Sequence, residues 1–291
     1  DVNEIELLGM SSMFPAGAAS VGAARWMIAC GHDTIGEVPL TRWEGVHSAL
    51  PEPMASRAGH GGFACGCELI DNAAFSVSPA EAAAMDPQQR LVLEQGYLAL
   101  HAGAIDRAAL LGSLTGVFLG IALANYREMI SGTPAGSSVY AATGGAHSIA
   151  SGRLSYVLGL HGSAVSYDTA CSAALAAAHA CLHALQVDEC KIGLAAGVMA
   201  MLTPRESFSF AVAGMTSPRG RSHTFDARAD GYARGEACGG VALRHGKGVG
   251  VLSLLGSAVR QDGRSASLTA PNGQAQQGLL VAALHDAGAP V

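Results

Sequence analysis

The chain has 291 residues and a formal net charge of −6; 49% of its residues are hydrophobic and only 14% are charged. This composition excludes a disordered chain, and the negative charge argues against nucleic acid as the main partner. No apolar run approaches the ~18 residues of a membrane-spanning helix. Without a secretory or other targeting pattern we expect a cytoplasmic protein, although an organelle stays open. Because the sequence begins at Asp1, we expect a domain or fragment of a longer protein.

The first part of the chain combines a strand, two helices and a long loop region. The pattern predicts a strand over 5–10, a helix over 23–30 and a loop-rich stretch over 34–80. A second helix is predicted from Asp86 to about Ala102. Asp86 suits the N-cap, Pro87 the first helical position, and Gln89 would complete a capping box.

The remainder of the chain alternates apolar strands with helices. Strands are predicted over 116–121, 164–168, 192–198, 238–243 and 249–259, and helices over 144–156, 172–186 and 274–287. This alternation predicts an α/β sheet that is covered on both faces. Helix 172–186 is apolar nearly all round, so we expect it in the middle of a layered domain.

Cys171 is the strongest candidate for a reactive side chain. It lies in the segment DTACS, residues 168–172, between a predicted strand and a predicted helix. Unpaired N–H groups and the helix dipole at a helix N-terminus favour the thiolate of a cysteine. The small neighbours Ala170 and Ala173 suit a tight turn that exposes a nucleophile. The alternative is a buried and inert cysteine, which is the commoner role of this residue type.

No base for this thiol is evident in the sequence. His179 lies eight residues from Cys171 on the same predicted helix, a separation of about 12 Å. His179 and His183 are spaced like a metal pair, but they lack the glutamate of H-E-x-x-H, so we expect a polar stripe instead. Cys65 and Cys67 form a C-x-C without a second Cys/His pair, and we predict no metal site.

Six segments, in order along the chain, form a recognisable set. They are 8–15 (LGMSSMFP), 79–93 with MDPQQR at 85–90, 115–120 (TGVFLG), 150–156 (ASGRLSY), 168–172 around Cys171, and 224–236. Together they resemble the β-ketoacyl synthase, or ketosynthase, domain of type I modular polyketide synthases. The resemblance covers essentially the whole chain.

Two features depart from the family pattern. The family usually has further serines after Cys171-Ser172, where this chain has Ala173 and Ala174; both are small, so the turn should survive. The family's two catalytic histidines, one in H-G-T-G-T and one in a later G-H motif, lie beyond the segment that matches 278–291. We therefore expect the N-terminal two-thirds of a ketosynthase, inactive in condensation on its own.

The resemblance implies a thiolase-like α/β fold, in which two related halves form an α/β/α/β/α sandwich. Residues 1–250 would be the nucleophile-bearing half, and 251–291 the start of a truncated second half. The implied reaction is a decarboxylative Claisen condensation, in which Cys171 takes an acyl chain as a thioester and its backbone N–H donates to the oxyanion.

The same resemblance implies the partners of the domain. Substrates would arrive as phosphopantetheine thioesters on an acyl carrier protein, with no cofactor and no metal. A homodimer is expected, with the strand 164–168 at the centre of its interface. No nucleic acid and no membrane span are expected.

Three other functions stay open. A fatty-acid elongation synthase would share the fold and Cys171, although the MDPQQR and DTACS segments favour the polyketide type. A non-elongating domain that only carries acyl chains would keep the cysteine and alter a downstream histidine. An unrelated cysteine hydrolase would need a histidine within hydrogen-bond reach of Cys171.

Overall fold

The structure is a computed structural model that describes residues 4–43, 50–123, 125–246, 250 and 252–290. Its strands are β1 Ile5–Met13, β2 Gly36–Glu37, β3 His60–Gly61, β4 Thr115–Gly120, β5 Ala164–Tyr167, β6 Ile192–Met199, β7 Ala237–His245 and β8 Leu252–Leu254. Its helices are α1 Val21–Ala29, α2 Met54–Ala58, α3 Pro79–Ala84, α4 Pro87–Ala102, α5 Arg107–Leu110, α6 Tyr126–Met129, α7 Ala141–Gly144, α8 His147–Leu158, α9 Ala173–Gln186, α10 Arg205–Val212 and α11 Gly273–Asp286. A 3₁₀ turn, Ala170–Ser172, leads into α9.

The main sheet has six strands in the order β5-β4-β6-β7-β1-β8. β4 pairs in parallel with β5 and β6, whereas β7 is antiparallel to β6 and to β1. Gly120 lies opposite both Tyr167 and Gly197, so β4, β5 and β6 finish at the same end of the sheet. The loops that follow these three strands therefore meet there. One of them carries Cys171.

Helices cover both faces of this sheet, as the alternation predicts. On one face α4 and α8 contribute Leu93, Leu100 and Leu154 to a core with Leu194 of β6. On the other face α9 packs Leu182 and Leu185 against Phe118, Leu243 and Ile5. Each of these side chains is almost fully buried. The described residues thus form an α/β/α arrangement around the central parallel strands.

Helix α9 differs from the expectation of burial on all sides. Ala177, Cys181 and Leu182 are buried against the sheet, but Leu175 on the other side is 76% exposed. An alanine-rich helix has no distinct apolar stripe, so its composition could not show which side would be covered. Within the part of the chain that the structure describes, α9 is covered on one side only.

Two predicted elements have different bounds in the structure. The strand predicted over 249–259 is limited to Leu252–Leu254, which pairs with Ile5–Leu7; residues 249 and 251 lie outside the described residues. Gly256 packs against the end of α11, where an added Cβ would lie 2.4 Å from the Ala287 nitrogen. The helix predicted over 144–156 is α8, which begins at His147 and ends at Leu158; Gly144 is the last residue of the preceding helix α7. Assignment of 251–291 to a second half stays a prediction.

No helix among the described residues has both the length and the apolar character needed to cross a membrane.

Candidate active site

Cys171 lies on a braced turn between β5 and α9, where the sequence places it. Its thiol is exposed. Ala170 adopts a φ of 53°, a left-handed conformation that is uncommon for residues other than glycine. The side chain of Asp168 accepts a hydrogen bond from the Ala170 N–H at 3.1 Å, and the Ser172 hydroxyl donates to the Thr169 carbonyl at 2.9 Å. These bonds fix the turn on both sides of the thiol.

The turn sits directly on the ends of the parallel strands. A Cβ added at Gly120, the last residue of β4, would lie 2.4 Å from the backbone nitrogen of Ala174. One added at Gly197 in β6 would lie 2.8 Å from the Ala174 Cβ. The first turn of α9 therefore requires small residues on both sides of the contact. Ala174, where the family usually has serine, fits this close approach.

Tyr232 is a titratable residue whose pKa responds to Cys171, and the sequence does not single it out. The ring is 37% exposed. Burial raises the pKa of the Tyr232 phenol, Arg234 opposes the rise, and Cys171 adds to it. The phenol therefore keeps its proton at neutral pH and can act as a hydrogen-bond donor. In the sequence Tyr232 is one residue of the segment 224–236, and nothing local connects it with Cys171.

The remaining cysteines separate into buried and exposed groups. Burial raises the pKa of Cys67 and of Cys190 to about 11. It raises the pKa of Cys181 and of Cys238 as well. Only the three exposed thiols, Cys30, Cys65 and Cys171, are open to reagents in solution. Of these, Cys171 alone lies on the turn that leads into α9.

The two histidines of α9, His179 and His183, contact each other, and His179 also contacts Ser257. Their rings are 4.3 Å apart, and His179 Nδ1 lies 2.7 Å from the Ser257 hydroxyl. Burial lowers the pKa of His179, and His183 lowers it further. In the described ranges no histidine forms a hydrogen bond with Cys171. Nor do these ranges contain three or more Cys, His, Asp or Glu side chains grouped to hold a metal ion.

The MDPQQR segment supports the same end of the sheet. Asp86 caps α4 as predicted, accepting from the Gln88 N–H at 2.8 Å. Gln88 also accepts from the Ala200 N–H, after β6, at 3.3 Å and donates to the Leu123 carbonyl, after β4. The predicted capping box at Gln89 is wrong, because the Asp86 N–H donates to the Gly144 carbonyl at 2.9 Å and Gln89 Oε1 accepts from Arg153 Nε at 2.8 Å. The Gln89 amide group donates to the carbonyls of Thr143 and Ala146. Two buried glutamines thus fix the loops around the site.

Comparison with known proteins agrees with this geometry. The sequence profile described as "Beta-ketoacyl synthase, N-terminal domain" matches residues 2–247. The chain belongs to the β-ketoacyl synthase family. It is 41% identical over 295 residues to polyketide synthase GfsA of Streptomyces halstedii. It is 38% identical over 290 residues to a phenolphthiocerol/phthiocerol polyketide synthase of Mycobacterium tuberculosis.

Solved ketosynthases share the fold. The ketosynthase from module 6 of the bacillaene synthase of Bacillus subtilis 168 superposes with a TM-score of 0.88 at 30% identity, covering 98% of this chain. The predicted family and the thiolase-like fold are confirmed, and the relatives are polyketide synthases, as the motifs indicate.

The chain corresponds to only a part of these proteins. Each alignment covers 97% of this chain, but only 4% of the Streptomyces synthase and 19% of the mycobacterial one. It spans 49% of the bacillaene ketosynthase chain.

Proposed function

We propose that Cys171 is the acyl-accepting nucleophile of a polyketide synthase ketosynthase domain. The domain joins an acyl chain on Cys171 to a malonyl-type thioester carried by an acyl carrier protein. The observation that carries this proposal is the exposed thiol on a braced turn at the N-terminus of α9, in a chain of this family.

The first step is transfer of the acyl group between two thiols. The Cys171 thiolate attacks the carbonyl carbon of an acyl-phosphopantetheine thioester and forms a new C–S bond. The backbone N–H of Cys171 donates to the developing oxyanion. The intermediate collapses with cleavage of the C–S bond to phosphopantetheine, whose thiolate leaves and takes up a proton. The acyl chain remains on Cys171.

The second step forms the carbon–carbon bond. The malonyl thioester loses carbon dioxide, and its C–C bonding pair becomes the enolate. The enolate carbon attacks the acyl carbonyl, and the Cys171 thiolate leaves. In the family two histidines bind the malonyl carbonyl and stabilise this enolate. The 291 residues contain no His-Gly-Thr-Gly-Thr. We infer that these histidines come from outside them, and that the 291-residue chain alone accepts acyl groups without condensing them.

A homodimer built on β5 is part of this proposal. β5 is the outermost strand of the sheet and pairs only with β4 among the described residues. Ser166 turns towards α8, where its hydroxyl donates to the His147 carbonyl at 2.6 Å. Val165 faces the other way and is 39% exposed. A second copy could pair with this free edge across a two-fold axis, which would extend the sheet through both protomers.

Cytoplasmic location and independence of cofactors stay predictions.

Acyl loading of the intact protein tests the proposed function. The protein is incubated with an acyl-pantetheine thioester, and the mass of the whole chain is measured with time. We expect the mass to increase by one acyl group and the thiol of pantetheine to be released in equal amount. Cys171→Ser should abolish the increase, whereas Cys65→Ser should not. Adding a malonyl thioester should give no β-ketoacyl product from the 291-residue chain. Absence of acyl transfer to the folded protein would contradict the proposal.

A further inference from the structure

Two cysteines lie two residues apart on one turn of the chain. They are Cys65 and Cys67, in the segment Cys-Gly-Cys, and both thiols are free. Residues 65–68 form a turn in which Gly66 has a φ of 74°, and the Leu69 N–H donates to the Gly66 carbonyl at 3.0 Å. Cys65 is exposed, whereas Cys67 is only 1% exposed. The pair therefore combines a thiol that reagents in solution can reach with one that they cannot.

The spacing of the two cysteines allows a disulfide between them. Even a fully extended chain separates the Cα atoms of residues two positions apart by at most about 7 Å. Disulfides join Cα atoms that are about 4.4–6.8 Å apart. The left-handed glycine between the cysteines folds the chain here, so their Cα atoms are closer than in an extended strand. A bridge thus requires the Cys67 side chain to rotate out of the core, without movement of distant segments.

Arg42 holds the buried thiol without depending on it. Its Nη2 nitrogen lies 2.8 Å from Cys67 Sγ, 2.9 Å from Glu236 Oε2 and 3.1 Å from the Ala64 carbonyl oxygen. This nitrogen carries two hydrogens, for which three acceptors compete, and the thiol sulfur is the weakest of the three. If the sulfur leaves, Nη2 keeps both oxygens. The buried ion pair therefore stays hydrogen-bonded when Cys67 reacts.

We propose that Cys65 and Cys67 are a redox modification site, which a small-molecule disulfide such as oxidised glutathione converts into an intrachain disulfide. The inference goes beyond the proposed function and does not depend on acyl transfer to Cys171. Exposed disulfides are the labile and reversible ones, in contrast to the buried disulfides that stabilise secreted proteins. The bridge between Cys65 and Cys67 therefore forms and opens with the ratio of oxidised to reduced glutathione.

The bridge forms by two thiol–disulfide exchanges. The Cys65 thiolate attacks one sulfur of oxidised glutathione, forms a mixed disulfide and releases one glutathione thiolate. The Cys67 thiolate then attacks the Cys65 sulfur, forms the intrachain S–S bond and releases the second glutathione thiolate. Each cysteine gives up one proton, which a departing glutathione takes up. The protein loses two hydrogens, and one oxidised glutathione becomes two reduced ones. Exposure sets the order, because the reagent reaches Cys65 first.

The second exchange should be slow at neutral pH and faster in alkali. Burial raises the pKa of Cys67 to about 11; Arg42 opposes this rise, and Glu236 and Glu68 add to it. Below the pKa of a thiol, its thiolate fraction increases about tenfold for each pH unit. We expect the mixed disulfide to close about tenfold faster at pH 8 than at pH 7. Samples quenched with acid at timed intervals measure the rate. A closure rate that does not change with pH would contradict Cys67 as the attacking thiol.

Peptide mapping of the oxidised protein tests the proposal. The folded protein is treated with oxidised glutathione, and the remaining thiols are alkylated in denaturant with N-ethylmaleimide at acidic pH, where exchange stops. Trypsin then releases residues 58–90 as one peptide, whose only cysteines are Cys65 and Cys67. We expect this peptide to be unalkylated and two hydrogens lighter than its reduced form. Reduced glutathione should restore its alkylation. Cys30, which is exposed, is the internal control and should carry glutathione as a mixed disulfide.

Matched variants separate the site from general oxidation. Cys67→Ser should stop at the mixed disulfide, with glutathione on Cys65. Cys65→Ser should leave Cys67 reduced, and Cys30→Ser should not change the result for peptide 58–90. If a variant does not fold, the wild-type peptide decides. A folded wild type that keeps glutathione on Cys65, as on Cys30, would overturn the proposal, and so would closure that occurs only in urea.

Discussion

Cys171 shares its exposure with Cys30 and Cys65 but differs from them in its surroundings. Cys30 follows α1 and Cys65 lies in a loop, whereas Cys171 lies on the turn that enters α9. Helix N-termini favour the thiolate, which is the form that reacts. At the scale of single residues, the three thiols should therefore differ in reactivity within one folded chain.

We expect Cys171 to be alkylated first when the folded protein is treated with iodoacetamide at neutral pH. The four buried thiols should react last with iodoacetamide, because burial raises the pKa of each and blocks the reagent; they are Cys67, Cys181, Cys190 and Cys238. Peptide mass spectrometry over a time course measures the order. Denatured protein is the control, in which all seven cysteines should react at similar rates. Faster labelling of Cys65 than of Cys171 in the folded protein would contradict the prediction that the turn before α9 makes Cys171 the most reactive thiol.

At the scale of secondary-structure elements, a substitution at Gly120 tests the close contact between β4 and α9. Gly120→Ala should destabilise the protein by about 1–3 kcal/mol, because its Cβ would overlap backbone atoms of α9 that cannot move separately. It should also slow acyl loading, since the turn carrying Cys171 would shift. Denaturant unfolding and the loading assay measure the two effects.

Gly152→Ala is the matched control for this substitution. Gly152 lies within α8 with nothing within 4 Å of an added Cβ. Alanine there should stabilise the helix by about 0.5–1 kcal/mol. A Gly120→Ala variant as stable as the wild type would show that β4 and α9 do not meet as closely as described.

A buried ion pair joins three loops around the site. Arg42 Nη2 lies 2.9 Å from Glu236, whose other contacts are the N–H groups of Ala64 and Met201, each at 2.8 Å. Glu236→Ala would leave the guanidinium buried without its counter-charge, at a cost of about 3–5 kcal/mol. Thermal unfolding checks this. Asp226→Ala, at an exposed pair with Arg228, should change stability much less.

The elements that the sequence predicted well are those whose pattern is local. The Asp86 cap and the flanks of Cys171 need only neighbouring residues, so α4 and the turn before α9 were found in place. The extent of β8 and the one-sided burial of α9 depend on which segments pack against them, and the sequence could not show this. The pairing of Arg42 with Glu236 is a tertiary contact between distant segments, which no spacing rule reveals.

At the scale of the whole molecule, we propose that a dimer assembles through the edge of β5, which pairs only with β4 among the described residues. We expect Val165→Asp to convert a dimer into monomers, because a charge would be buried at the paired edge. The measurement is light scattering on the folded protein. Leu69→Asp, at another exposed apolar residue, is the control and should leave the mass unchanged. An intact Val165→Asp dimer would place the interface elsewhere.

The position of the acyl group on the chain decides whether Cys171 is the nucleophile. After loading with an acyl-pantetheine thioester, the folded protein is digested and each cysteine peptide is analysed by mass spectrometry. We expect the acyl group on the Cys171 peptide, with Cys30 and Cys65 unmodified. An acyl group found equally on all three exposed cysteines, or on Cys65 alone, would contradict the assignment of Cys171 as the nucleophile.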